Sequence, residues 1–397
     1  MIINKKILYV YHSSILGGGS YCLFNIIEKL DRKRYQPIVL LKDYGSLCDQ
    51  LESVGAKVYI EKTISTVPYN KSLFNLTSIK RIYYVVLSCY KLKKWLLVLN
   101  PDIVYINTMM MHPYLKVAKK ANKKTIIHIR EHWPINEHTL QYKLAKKNIK
   151  KYADSIVSIN HTSASMVNVP QKTKVIYDWI DFSEREEEFS FEQIFGKDYK
   201  SLKIFTFTGG IDSNKGTMEV VKTFSSKVLD KNARLLILGA DTTFVYAGVR
   251  GTISRYLSII NYGTYPNRVR KEILKDKRIV CIPSIYKLKQ IIETSYCILS
   301  FFTIPHANLM LAESICLGQI VIAAYTPEAI EYSNYGEAAI LFEMNNLEEF
   351  AGKIEELINN YDYYREKAKS GMEYNKSLFD PIRNSYLLNN VYANLVQ

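Results

Sequence analysis

KILYVYHSSILGGGSYCLFNIIEKL, residues 6–30, decides the fold class. KILYVYHS (6–13) is a continuous β-rich apolar run that follows charge and ends near glycines, which reads as a buried strand. Gly17, Gly18 and Gly19 stand together directly after it, and Tyr21 to Leu30 then carries helical spacing. PIVLL (37–41) is the next strand, and DIVYIN (102–107), TIIHI (125–129), SIVSIN (155–160) and KVIYDWI (174–180) continue the series. Strands alternating with helical stretches predict right-handed βαβ units and a parallel sheet covered on both faces.

The pattern restarts after an acidic, poorly periodic stretch, Asp181 to Lys200, which contains EREEE. KIFTFTGG (203–210), RLLILGAD (234–241), RIVCIPS (278–284), YCILSFF (296–302) and QIVIAAY (319–325) each read as a strand followed by a helix. The expected organisation is an N-terminal Rossmann-like domain over 1–180, a linker over 181–202 and a second Rossmann-like domain over 203–375. A C-terminal helix over 376–397 is free to pack back on the first domain. Ligands of open α/β sheets bind outside the carboxyl ends of the strands, so the expected site is the cleft between the two halves.

The 397 residues suit two domains; 48% are hydrophobic and 23% charged, which excludes wholesale disorder. The net charge of +15 is unevenly placed. Residues 1–180 hold 28 Lys and Arg against 11 Asp and Glu, whereas residues 181–397 hold 25 against 27. One half is therefore built to face something anionic: nucleic acid, anionic lipid or a phosphorylated substrate. No basic zipper, zinc-finger spacing or RNP-like aromatic motif supports nucleic acid. The six cysteines lie far apart without a C-x-x-C pair, as buried free thiols of a reducing cytosol would. The N-terminal apolar run is too short for a signal peptide, and no stretch reaches ~18 uninterrupted apolar residues.

Only 17 residues are glycine, which gives their grouping weight. Gly17–Gly19 precede a helix, where glycine lets a phosphate approach the backbone and the helix start supplies free N–H groups. The bland alternative is a tight strand-to-helix turn. GGIDSNKG (209–216) repeats the device, with Lys215 as a point charge suited to a diphosphate or simply a solvated loop lysine. In FFTIPHANLMLAESICLGQIVIAAYTPEAIEY (301–332), Pro305 and Asn308 announce a helix over Leu309 to Leu317 that Gly318 stops. Glu313 lies in that otherwise apolar helix, where it is either a half-exposed residue of the polar edge or a carboxylate awaiting hydroxyl donors.

These segments, in this order, resemble the GT-B-fold retaining nucleotide-sugar glycosyltransferases of family 4. The resemblance runs through ILGGGSYCLFNIIEKLDRKRYQPIVLL (15–41), YADSIVSINHTSASMV (152–167), KVIYDWID (174–181), GGIDSNKGTMEVVKTF (209–224), the Glu313 helix and YGEAAILFEMNNLEEFAGKIEELINN (335–360). It implies two Rossmann-like parallel-sheet domains facing each other across a cleft, and transfer of a sugar from a nucleoside diphosphate, UDP- or GDP-linked, to a glycan acceptor. It implies that Gly18 and Gly19 lie against the donor diphosphate from one side, with Lys215 and the Gly209–Gly210 turn on the other. Glu313 matches the second glutamate of the family's E-x7-E element, which binds the ribose. Backbone around Pro283 would hold the base, and amides near Asn308 and Leu309 would face the sugar and phosphate.

Two positions depart from the family pattern. The usual first glutamate is Pro305 here, beside His306, and the arginine five positions before the loop lysine is Gly210. Arg250, Arg255, Arg268 and His306 are candidates to supply the missing contact. In TIIHIREHWP (125–134), either His128 is the family's functional histidine, or Arg130 and Glu131 occupy the positions of the histidine–acid pair. The family's reaction is thought to use a donor phosphate oxygen to help deprotonate the acceptor, so no protein nucleophile is required. No D-x-D occurs and no histidines fall at ligand spacing, so neither a metal nor another cofactor is expected. Within 71–150, 16 Lys and Arg face 3 Asp and Glu, and RIYYVVLSCYKLKKWLLVL (81–99) interleaves aromatics with lysines. That composition suits a cytoplasmic protein docking peripherally on an anionic leaflet, and the resemblance, in which the N-terminal domain receives the acceptor, implies a polyprenyl-diphosphate-linked acceptor of surface-polysaccharide (capsule or O-antigen) assembly; the alternative is a crossover helix whose lysines reach outward. The rival functions are a sugar-nucleotide epimerase of the same fold and a catalytically silent sugar-nucleotide-binding subunit.

Overall fold

The computed structural model describes residues 4–15, 17–68, 75–133, 139–182, 189–240, 263–285 and 288–396. EREEE, Arg250 and Arg255 lie outside the described residues. The chain forms two compact units: Met1–Asp181 with Phe379–Gln397, and Phe182–Leu378.

Unit 1 runs β1 (Lys5–Val10), α1 (Gly18–Glu28), β2 (Tyr35–Leu41), α2 (Ser46–Ser53), β3 (Lys57–Ile60), α3 (Leu76–Leu99), β4 (Ile103–Ile106), α4 (Pro113–Lys120), β5 (Lys124–Ile129), α5 (Leu140–Tyr152), β6 (Ser155–Ser158), α6 (His161–Val167) and β7 (Thr173–Val175). Its seven strands are parallel in the order β3-β2-β1-β4-β5-β6-β7. Ile7, Leu8, Tyr9 and Val10 are buried, as β1's central place with helices on both faces requires.

Unit 2 runs α7 (Phe191–Phe195), β8 (Lys203–Phe207), α8 (Thr217–Lys227), β9 (Ala233–Leu238), α9 (Tyr265–Ile273), β10 (Ile279–Ile282), α10 (Lys289–Thr294), β11 (Cys297–Ser300), α11 (Leu309–Cys316), β12 (Val321–Ala324), α12 (Pro327–Tyr332), β13 (Ile340–Phe342), α13 (Leu347–Asn359) and α14 (Tyr361–Leu378). Its six strands are parallel in the order β10-β9-β8-β11-β12-β13. The last helix, α15 (Pro381–Val396), belongs to unit 1. There Tyr392 is buried with Tyr9, Tyr35 and Tyr105, its hydroxyl 3.3 Å from that of Tyr9.

In each sheet the strand order reverses beside the first strand, between β1 and β4 and between β8 and β11. Those two switch points are where an open α/β sheet leaves a crevice for a ligand. One sequence expectation needs correction. KVIYDWI is a strand only to Val175, after which Asp178 turns toward Arg130 and the Ile180 N–H bonds the Phe379 carbonyl at the start of the α15 segment. The edge strands β3 and β13 were not anticipated, because KVYI and ILF are too short to show a period.

Helix α3 is a crossover helix of 24 residues. Val85, Ser88, Leu92, Leu96 and Leu99 face the core, while Ile79, Tyr83, Val86, Tyr90 and Leu97 lie 52–74% exposed on the other side. No helix among the described residues is long and apolar enough to cross a membrane.

Candidate functional site

At the switch point of unit 1, the turn after β1 leads to α1. Gly17 caps this helix in extended conformation without a side-chain cap, so the Gly18 and Gly19 amides have no intrahelical partner. Space around Gly17 and Gly18 is open, whereas a Cβ at Gly19 would fall 2.8 Å from the Tyr11 hydroxyl. The glycines thus leave the helix start uncovered and admit Tyr11 beside it.

The ends of β4 and β5 carry a buried polar cluster. His128 is 2% exposed, and its Nδ1 lies 2.5 Å from the Tyr105 hydroxyl and 3.2 Å from an Arg130 terminal nitrogen. Burial, reinforced by the Arg130 charge, pushes its pKa well below the ordinary histidine range. Arg130 donates from Nε to Asn107 Oδ1 at 3.0 Å and from Nη1 to both oxygens of Asp178 at 2.6 Å. Burial opposes its charge, but Asp178, helped by Cys22 and Tyr105, outweighs that and keeps the guanidinium protonated. Glu131 accepts from the Thr108 hydroxyl, from the Met109 N–H at 3.0 Å and from its neighbour's N–H at 3.2 Å. Desolvation raises its pKa. Its carboxylate is thus engaged in holding the short 3-10 turn Met109–Met111 at the end of β4.

In unit 2 the ends of β8, β9 and β10 are stitched together by glycines. Gly209 lies where a Cβ would fall 2.0 Å from the Phe207 ring. Gly210 has φ +61, and a Cβ there would sit 3.0 Å from the Gly239 carbonyl oxygen. Its N–H bonds the Leu238 carbonyl, while the Ile282 carbonyl accepts from both Gly239 and Ala240. An arginine at 210 would need a left-handed backbone pressed against another chain segment, which explains that departure physically. Pro283 is exposed and lacks an N–H, so the backbone at this point has only the Pro283 carbonyl and the Ser284 amide with which to bond.

Gly216, at φ +70, packs on Phe301 and starts α8. Thr217 hydroxyl donates to the Gly210 carbonyl at 2.9 Å, and Thr303 bonds the 213–214 backbone. This fixes the Lys215 turn to the segment after β11. Lys215 itself is half-buried and makes no hydrogen bond or ion pair among the described residues. Burial lowers its pKa, with Asp212 opposing weakly.

Asn308 caps α11 through a 3.1 Å bond from the Leu311 N–H, and its amide donates to Ser300 Oγ at 2.5 Å. The Leu309 and Met310 amides are left without intrahelical partners. One turn on, Glu313 is partly buried, unpartnered among the described residues, and raised by desolvation to about 7. His306 is exposed with its ring against Phe302, and Arg268 is exposed on α9.

The expected residues lie at the carboxyl ends of the strands: in unit 1 Gly18 and Gly19 after β1 with His128, Arg130 and Glu131 at the end of β5, and in unit 2 Gly209, Gly210 and Lys215 after β8 with Asn308, Leu309 and Glu313 after β11, while Pro283 follows the edge strand β10 and His306 is an exposed residue after β11. Sequence reading missed Asn107, Tyr105 and Asp178. The available signal for Asp178 was an acid inside the apolar run YDWI. Among the described residues no three His, Cys, Asp or Glu side chains are grouped to hold a metal ion.

No family model matches the chain, and no curated protein is similar to it in sequence. Solved structures are similar in fold. The Anabaena protein HepE, in complex with UDP-glucose, superposes with a TM-score of 0.75 at 16% identity, covering 98% of this chain and 99% of that one. A glycosyltransferase from Rickettsia africae gives 0.71 at 16% identity over 100% and 99%. Sucrose-phosphate synthase from Thermosynechococcus elongatus gives 0.70 at 12% identity over 99% and 99%. Matches of this extent, together with two parallel sheets of seven and six strands, establish the GT-B fold class, with its two Rossmann-like units.

Proposed function

We propose that this protein is a retaining glycosyltransferase that moves a sugar from a nucleoside diphosphate, UDP- or GDP-linked, to a glycan hydroxyl. The observation that carries the proposal is the pair Lys215 and Glu313: two charged groups at one switch point, drawn out of water and left unpartnered within their own unit. A donor diphosphate supplies the anion that Lys215 lacks, and ribose hydroxyls supply the donors that Glu313 lacks. The α8 and α11 starts add backbone N–H groups, and unit 1 by itself carries an uncapped helix start of the same kind at α1. No metal or other cofactor is part of this proposal. The similarity to a protein solved with UDP-glucose supports it.

The acceptor is proposed to be polyprenyl-diphosphate-linked, as in surface-polysaccharide assembly, with the cytoplasmic protein docked peripherally on an anionic leaflet through unit 1. The outward apolar row Ile79, Tyr83, Val86, Tyr90 and Leu97, with Lys80, Lys93 and Lys94 exposed beside it, supports that docking. Flotation with liposomes tests it: binding that needs anionic lipid and weakens with salt is expected, and no lipid-dependent binding sinks it.

Titration with UDP, GDP, ADP and dTDP sugars, read by thermal shift and followed by nucleotide-release assays on lipid-linked acceptors, tests the transfer itself. Turnover abolished by Lys215→Ala and Glu313→Ala is expected. Binding without turnover on any acceptor means a silent subunit, and sugar interconversion without an acceptor means an epimerase.

A further inference from the structure

Arg130 is surrounded by acceptors on all three of its nitrogens: Asn107 Oδ1, both Asp178 oxygens and His128 Nδ1. A guanidinium has donors and no acceptor. Whatever faces it must therefore offer a lone pair. Asn107 has to turn its carbonyl oxygen inward, which leaves its Nδ2 hydrogens facing elsewhere. His128 has to offer a bare Nδ1, which places its ring proton on Nε2. The Tyr105 hydroxyl, 2.5 Å from the same Nδ1, is a second donor there. The two nitrogens left over, Asn107 Nδ2 and His128 Nε2, are buried and have no hydrogen-bond partner among the described residues. Unsatisfied buried donors are rare in folded proteins. Two of them on neighbouring strand ends, both created by one guanidinium, mark an arrangement that awaits acceptor oxygens.

We propose that Arg130, held in place by Asp178, is a positioning residue that fixes His128 as an Nε2–H donor and Asn107 as an amide donor toward ligand oxygen, so that His128 is not a proton acceptor. Asp178 supplies the negative charge that lets the guanidinium stay buried at the end of β5, 2.6 Å away with side-chain exposures of 8% and 15%. The other titratable groups around the histidine agree with a ring that stays neutral. Tyr105 from β4 contacts it directly, Tyr9 from β1 and Tyr392 from α15 pack on Tyr105, and burial raises the pKa of all three phenols. Tyr11 and Cys22 interact with Arg130, and the Glu131 carboxylate is taken up by Thr108 and Met109. Only the identity of the ligand oxygen, a sugar hydroxyl, rests on the glycosyltransferase reading; the donor assignment does not.

Histidine 15N spectra of the full chain decide the proposal without any assay of turnover. The His128 signal is identified by its loss in His128→Gln. In the wild-type protein it is expected as a single neutral form protonated on Nε2, unchanged from pH 5.5 to 8.5. A titrating His128, or one protonated on Nδ1, overturns the proposal from the wild-type spectrum alone. Arg130→Gln, which can both donate and accept, is expected to release the ring into a mixture of tautomers. Arg130→Lys, still a donor-only cation, is expected to restore the Nε2–H form. A folded Arg130→Gln that keeps the single tautomer removes Arg130 from the positioning role. A locked His128 in a protein that transfers no sugar refutes the proposed function and leaves this assignment standing.

Discussion

The two units place charged residues beyond the carboxyl ends of their parallel strands and treat them in opposite ways. In unit 1 the charges answer one another: Arg130 is bound by Asp178, Asn107 and His128, and Glu131 by Thr108 and Met109. In unit 2, Lys215 and Glu313 are drawn from water and left without partners among the described residues. A cluster whose charges are already paired, with only the neutral donors Asn107 Nδ2 and His128 Nε2 left over, shapes a surface before any ligand arrives. An unsatisfied pair stores a demand that a ligand meets. The first arrangement should be felt mainly in stability and the second mainly in binding.

The largest expected effect follows from breaking the first arrangement. Asp178→Ala leaves Arg130 as a buried charge without its counter-ion, which costs about 3–5 kcal/mol in a chain unfolding measurement. A cost under about 1 kcal/mol would show that the cluster is not the self-held unit described here. Placing an arginine at position 210 in unit 2 is the next step. Gly210→Arg forces a β-carbon onto a residue at φ +61 against the Gly239 carbonyl, and a loss of about 1–3 kcal/mol of stability is expected instead of tighter nucleotide binding. Tighter binding at unchanged stability would mean that the turn can open to admit the side chain.

Lys215→Met separates binding from stability. With no bond to lose among the described residues, unfolding should shift by no more than about 0.5 kcal/mol. Affinity for a nucleoside diphosphate should fall by about 1.5–3 kcal/mol, the worth of a charge-assisted contact. An equal loss in both measurements would show that Lys215 is structural and remove the contrast between the units.

The sheets were legible because continuous apolar runs ending at glycines have few other folded solutions, and both switch-point turns followed from that order. Gly18, Gly19, Lys215 and Glu313 were legible because each interrupts its surroundings: glycines in a glycine-poor chain, a lysine at a helix start, an acid in an apolar helix. Asn107, Tyr105 and Asp178 were not, since their meaning comes from Arg130, which lies 23 residues or more away in the chain. KVIYDWI misled for the same reason. Its apolar residues satisfy a strand pattern, while Asp178 and the Ile180–Phe379 backbone bond draw the segment out of the sheet.

A pH-dependent effect on stability tests the sign of the unit 2 demand. Glu313 has its pKa raised by desolvation to about 7, above the unfolded value, so the folded state holds its proton more tightly than the unfolded chain. Stability from this group is therefore fully present below the unfolded pKa near 4.5 and is lost as pH rises through about 7. Its partial exposure limits the change to roughly 1–2 kcal/mol between pH 5 and 8. Glu313→Gln should abolish that slope, unfold less readily at pH 8, and still bind sugar nucleotides more weakly, because an amide cannot accept two ribose hydroxyls as a carboxylate does. A ligand that meets the demand should flatten the wild-type slope as well, since hydroxyl donors stabilise the ionised carboxylate and bring its pKa back down. Urea unfolding at the two pH values, with and without a bound sugar nucleotide, reads all of this. A slope that persists in the variant would assign the pH dependence to another group and leave Glu313 a passive residue of the helix edge.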